Sequence, residues 1–203
     1  MIDLHKRDGI WSVTLNRPEK ANSLTRDMLN SIVAHARAAA QANARAFVLR
    51  GEGKVFSAGA DLTQAAEGLA VDPIWEDVSG AIAALPCLTI AALNGTLAGG
   101  AMGMALACDL RISVANANFF YPVMKLGFLP QPSDPARMVR LIGPARTKMI
   151  LMAGAKITAQ EALNWGLIDR IVDICTFDAE IDALTRDVCG ASADHVTAIK
   201  AMI

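Results

Sequence analysis

Two glycine-bearing segments carry the residue types from which a catalytic site can be built without a reactive side chain. The first is Val55-Phe56-Ser57-Ala58-Gly59-Ala60-Asp61-Leu62, where an apolar strand end runs into residues small enough to let a ligand approach the backbone. Asp61 is placed to cap whatever helix follows. The second runs from Asn94-Gly95 through Gly99-Gly100 to Cys108-Asp109, a turn feeding a helix whose opening residues have almost no side chain. The first amides of a helix have no partner within it and carry about half a positive charge, so an N–H at Gly100 can be aimed at an oxygen on which negative charge develops. The histidines offer no such placement. His5 is near the start, His35 falls on an amphipathic helix remote from both segments, and His195 lies in the last ten residues. Each reads as structural or solvated.

The elements that must hold these segments follow from hydrophobic patterning. Ile10 to Leu15 alternates as a strand; Ala46–Gly51, Leu88–Gly95 and Leu110–Val114 are near-continuous apolar strands, and Arg170–Val172 is a short fifth. Ser23 to Ala42 reads as an Ala-rich amphipathic helix. Continuous apolar strands alternating with helices predict covered, mainly parallel sheets, an α/β architecture. Pro144 suits the first turn of a helix that stops near Gly154. Thr158 and Glu161 have capping-box spacing, with Gly166 at the matching stop. From Phe177 onward the chain reads as helix, and it reaches Ile203 within an apolar stretch, which predicts a shortened or missing tail.

Composition narrows the classes of function. In 203 residues, 53% are hydrophobic and only 5% aromatic, so the core must be aliphatic. A net charge of -1 with charges spread along the chain excludes the basic face of a nucleic-acid binder and a polybasic membrane anchor. The uncharged run from Ser79 to Cys108 is long enough for a membrane span. Pro86, Asn94-Gly95 and Gly99-Gly100 divide it into strand, turn and helix. Cys87, Cys108, Cys175 and Cys189 lack metal-ligand spacing and read as buried thiols in a reducing, cytoplasmic setting, with no metal expected.

Taken in order, Asn16-Arg17-Pro18-Glu19-Lys20-Ala21-Asn22-Ser23-Leu24, Phe56-Ser57-Ala58-Gly59-Ala60-Asp61-Leu62, the Asn-Gly…Gly-Gly…Cys-Asp segment, and Gly166-Leu167-Ile168-Asp169 with Ile171-Val172 resemble the signatures of the crotonase (enoyl-CoA hydratase/isomerase) family. The resemblance covers about Ile10 to Val172. It implies a spiral of ββα units over residues 1–175, followed by a helical segment over 176–203. It implies an acyl-CoA thioester as ligand, with no cofactor beyond that CoA, and assembly as a homotrimer or hexamer. The implied oxyanion hole uses the amides of Ala58 and Gly100. Ala58, Gly59, Ala60 and Asp61 would line the CoA arm, and Lys20 and Lys54 are within the segments that could meet its phosphates.

The departures from that family decide the chemistry. Where family hydratases place one catalytic glutamate on the oxyanion-hole helix, this chain has Gly103; where they place the other, after a proline, it has Val123 following Pro122. Neither can move a proton, so ordinary hydration should be severely weakened. Two polar groups nearby could have taken over. Asp134, in Pro130-Gln131-Pro132-Ser133-Asp134-Pro135, has helix capping as its ordinary role, and Tyr121, the single tyrosine, that of a core residue with a satisfied hydroxyl. Glu67, Asp72 and Glu76 read as solvated charge. What remains is enolate chemistry of an isomerase, decarboxylase, hydrolase or atypical lyase, with a non-catalytic acyl-CoA-binding or scaffold protein as the alternative.

Overall fold

The computed structural model describes all 203 residues and is built from a repeating strand-strand-helix unit. An antiparallel hairpin, β1 (Ile2–Arg7) and β2 (Ile10–Leu15), opens the chain and leads to α1 (Arg26–Gln41). Three units follow. In the first, β3 (Ala46–Gly51) and β4 (Val55–Ser57) precede α2 (Leu62–Ala66) and α3 (Ile74–Ala83). The second is β5 (Leu88–Leu93), β6 (Thr96–Ala98) and α4 (Met102–Ala107). The third is β7 (Leu110–Ser113), β8 (Asn118–Phe120), α5 (Val123–Leu126) and α6 (Asp134–Leu151). The chain finishes with β9 (Ile157–Thr158), α7 (Ala159–Trp165), β10 (Arg170–Ile171), α8 (Phe177–Gly190) and α9 (Ala193–Lys200).

The first strand of each unit enters one six-stranded sheet, in the order β1-β2-β3-β5-β7-β10, and the second enters a four-stranded sheet, β4-β6-β8-β9. Pairing from β2 through β10 in the large sheet is parallel. Its central strands are buried on both faces, which is why they read as unbroken apolar runs: Phe47, Val48, Leu49, Ile90, Ala91 and Ala92 are all inaccessible to solvent. The uncharged stretch from Ser79 to Cys108 is the end of α3, then β5, β6 and α4, and no helix of the molecule is long and apolar enough to cross a membrane.

Successive turns of the spiral are bonded by asparagines. Buried Asn22 donates to the carbonyls of Glu52 (2.9 Å) and Val55 (2.7 Å) and accepts from the Arg17 amide. Asn94 accepts from the Gly51 amide (3.0 Å) and donates to the Gly53 carbonyl (2.9 Å). The turns stack so closely that a Cβ on Gly95 would stand 2.0 Å from the Lys54 carbonyl oxygen. Because that obstacle is backbone, Gly95→Ala should cost at least about 1–3 kcal/mol of stability, read as a lower urea midpoint at unchanged slope.

Several expectations are met at the helix ends. Thr158 and Glu161 form the capping box, and Gly166 ends α7 in the left-handed region (φ 84°). Pro144 starts the second half of α6, directly after a non-helical Gly143. Others are corrected. Helix α1 begins at Arg26, three residues later than the apolar pattern suggests, because Thr25 caps it by accepting from the Met28 amide. Cys87 and Cys108 are buried, but Cys175 is exposed and Cys189 half-buried. Of the terminal apolar residues, Val196 is buried while Ile199, Met202 and Ile203 are exposed.

Candidate active site

The two glycine-bearing segments meet. Gly59 adopts φ 94°, and a Cβ there would lie 3.1 Å from the Ala98 carbonyl oxygen and 3.6 Å from the Gly100 amide nitrogen. Only glycine combines that conformation with that approach. Beside this junction lies a mainly apolar cavity of about 140 Å³, lined on one side by Ala58, Ala60, Gly99 and Gly100 and on the other by Tyr121 and Val123.

The Ala58 amide, one of the two donors expected from the resemblance, is not free: it donates to the Ala21 carbonyl at 3.0 Å. The free amide is two residues on. Leu24 pairs with Ala60 in a parallel bridge, donating to the Gly59 carbonyl (2.8 Å) and accepting from the Asp61 amide (2.9 Å). In such a bridge the bonds go to the residues flanking the bridged one, so the Ala60 N–H points away from Leu24, to the side where the cavity lies. Gly100 is in the first turn at the start of the α4 region, where amides have no acceptor within the helix. Ala60 and Gly100 therefore supply two unpaired N–H groups at one wall. Gly59 and Asp61 do not line the cavity. Asp61 caps α2, accepting from the Thr63 and Gln64 amides, and pairs with Arg17 at 2.7 Å, which holds its carboxyl below the usual range. Lys20 and Lys54 are exposed.

Asp134 is the first residue of α6, yet its side chain caps nothing. The carboxylate turns inward, fully buried, and accepts from the Tyr121 hydroxyl at 3.0 Å, while that hydroxyl oxygen accepts from the Gln131 amide at 3.3 Å. Its second oxygen, Oδ1, has no hydrogen-bond partner. That oxygen lies where a side chain on α4 would begin, since a Cβ at Gly103 would stand 2.8 Å from it. The space left by the glycine on one helix is filled by a carboxylate from another. Burial pushes the Asp134 carboxyl up to about 7, against the opposing pull of Tyr121 and Arg137, and the charge of Glu76 raises it further. Burial likewise raises the Tyr121 hydroxyl, with the neighbouring carboxylate adding to the shift. Strand β8 ends at Phe120, and Tyr121 and Val123 beyond it both line the cavity.

One residue near the site was not anticipated from the sequence, and another departs from its expected role. Trp75 on α3 lies flat against Gly100; its signal was only an aromatic among few. Glu76, expected to be solvated, accepts from the Ser133 amide (2.9 Å) and hydroxyl (3.0 Å) and so takes the capping role at α6 that Asp134 gives up. Asp72 is also engaged, bonding to the Ile74 amide and pairing with Arg26. Asp109 is exposed and ties the Thr89 amide to Lys200.

This geometry agrees with what known proteins resemble the chain. A family model described as enoyl-CoA hydratase/isomerase matches residues 5–203. Bacillus subtilis (strain 168) YngF, named as an enoyl-CoA hydratase/isomerase, is 36% identical over 191 residues, covering 90% of this chain and 73% of its own. A 4-chlorobenzoyl coenzyme A dehalogenase of an Arthrobacter species is 30% identical over 200 residues, 94% of this chain and 72% of its own. Among solved structures, an enoyl-CoA hydratase subunit from Geobacillus kaustophilus HTA426 superimposes with a TM-score of 0.88 at 30% identity, covering 98% of this chain and 79% of that one.

Proposed function

Because the chain belongs to the enoyl-CoA hydratase/isomerase family, we propose that it binds an acyl-CoA thioester and moves one proton along the acyl chain, as a double-bond isomerase does, instead of adding water. The thioester oxygen sits between the amides of Ala60 and Gly100. As a proton leaves the α-carbon, charge develops on that oxygen, and donors already fixed in place stabilise it without reorganisation. The observation that carries the reading is the Tyr121–Asp134 pair: a single buried carboxyl titrating near neutrality, hydrogen-bonded to the hydroxyl of a tyrosine that lines the cavity.

For a 3-enoyl thioester the steps balance with that one pair. The α-proton passes to the Tyr121 oxygen as the hydroxyl proton passes to Asp134 Oδ2, the C2–H electrons entering the dienolate. The reverse relay delivers a proton to C4 and leaves the 2-enoyl product. A carboxyl with its midpoint near the working pH suits both directions. Water addition has no second group to hold and activate the water, which argues against hydration. By the same resemblance, the chain assembles as a homotrimer, which would cover exposed apolar side chains such as Met149 and Met152.

The test is to incubate 3-enoyl-CoA and saturated acyl-CoA thioesters with the protein in deuterated water. We expect 3-enoyl-CoA to become 2-enoyl product with deuterium at C4 and saturated acyl-CoA to take up deuterium at the α-carbon, with rates that rise with pH through a midpoint near 7. Tight thioester binding with no exchange at any pH would instead favour a non-catalytic acyl-CoA binder.

A further inference from the structure

The cavity has an open end and a closed one. Leu62, Leu126 and Leu129 form an exposed rim, whereas Trp75 and Tyr121 at the other end are almost wholly buried. Trp75 cannot give way. Its indole N–H donates to the Leu69 carbonyl at 2.8 Å, and Leu69 is itself buried, which fixes the ring in its plane. A Cβ on Gly100 would meet three atoms of the ring system at 3.2–3.3 Å, so the face of the indole already rests on the oxyanion-hole glycine and has no room to move deeper.

We propose that Trp75 is a specificity-determining residue that closes the acyl end of the cavity and restricts the protein to short-chain acyl-CoA thioesters. The inference rests on the thioester-site reading above and adds the acyl class to it. The volume of about 140 Å³ compares with the cavity of about 150 Å³ that holds one benzene ring in another protein, which corresponds to an acyl group of roughly four to six carbons. A longer chain anchored at the Ala60 and Gly100 amides has to double back toward the exposed rim, where further methylenes gain little burial.

The test is calorimetric binding of saturated butyryl-, hexanoyl-, octanoyl- and decanoyl-CoA, a readout that needs no turnover. Each methylene that finds apolar cover should tighten binding about fourfold. The unmodified protein should gain affinity up to hexanoyl-CoA and then stop gaining. Trp75→Ala should carry the gain onward, with octanoyl-CoA at least about tenfold tighter than in the unmodified protein. Trp75→Phe, which keeps most of the core volume, should shift the limit by less and guards against loss of the fold in the alanine variant. Affinity that climbs evenly to decanoyl-CoA in the unmodified protein would overturn the limit, as would an unchanged profile in folded Trp75→Phe and Trp75→Ala. Either result leaves thioester binding standing. Failure to bind even butyryl-CoA would overturn the thioester site and the limit together.

Discussion

Asp134→Asn is expected to abolish proton transfer and at the same time to make the protein more stable at pH 8. The loss follows from the relay: an amide cannot take the Tyr121 proton, and removal of a positioned acid-base group typically costs 10²- to 10⁴-fold in rate. The gain follows from burial. Unfolded, the carboxyl titrates at its ordinary value of 3.8; folded, it titrates at about 7. Between those values the folded chain holds a proton that the unfolded chain has released, so folding stability declines as pH rises from about 4 to about 7 and is level above. Asparagine lacks that dependence. At about 1.4 kcal/mol per pKa unit the shift sets a ceiling near 4 kcal/mol, and roughly 1–3 kcal/mol is expected at pH 8 once the site relaxes around the charge. At pH 4 the two proteins should unfold alike. Urea unfolding at both pH values, alongside the deuterium exchange rate, checks each half. Equal stability at pH 8, or exchange at an undiminished rate, would remove Asp134 from the role given to it.

The second large effect concerns hydration. On the proposed reading the unmodified protein should hydrate crotonyl-CoA very poorly, because by the resemblance Gly103 and Val123 fall at the two glutamate positions of family hydratases. Restoring those two residues alone should fail. A Cβ at position 103 meets Asp134 at 2.8 Å from Oδ1 and 3.2 Å from Oδ2, and the short buried carboxylate, held by Tyr121, has nowhere to withdraw. Gly103→Glu would also bring a second buried carboxylate against the first, raising both pKa values. Gly103→Glu with Val123→Glu is therefore expected to fold poorly. Adding Asp134→Gly vacates the space, and this triple variant should hydrate crotonyl-CoA about a hundredfold faster than the unmodified protein. Either single glutamate should help little, since two groups acting on one water are non-additive. Ordinary hydratase rates in the unmodified protein, or a stable and active double variant with Asp134 in place, would refute this account.

What the sequence makes legible here, and what it hides, has a physical pattern. Strands β3 and β5 are readable because burial on both faces writes itself as continuous apolar residues, and β2 because its apolar residues alternate. Three-residue strands such as β4, β6 and β8 carry too few positions for any period, so the second sheet is invisible until the spiral stacks them. The segment around Gly59 is recognisable, but which of its amides is free depends on Ala21 and Leu24, nearly forty residues earlier. Asp134 shows the same limit from the other side. An aspartate at a helix start followed by proline has capping as its local explanation, and only the packing of α6 on α4 reveals that Glu76 caps and Asp134 is buried. The available signal was, by the family resemblance, a pairing of changes, an acid absent at position 103 and one present at 134.

In the proposed mechanism the donors at the oxyanion hole belong to the main chain, held by the stacked turns and their asparagine bonds, whereas the proton carrier is a side chain projected across from another turn. A main-chain N–H survives every substitution except proline, while a carboxylate can be erased at one codon and written at another. On that proposal the hard part of the chemistry, taming the enolate, is insulated from mutation, and the part that chooses the reaction is exposed to it. The scaffold can keep its electrophilic centre through a change of trade, with the acid migrating from one helix to the next around it.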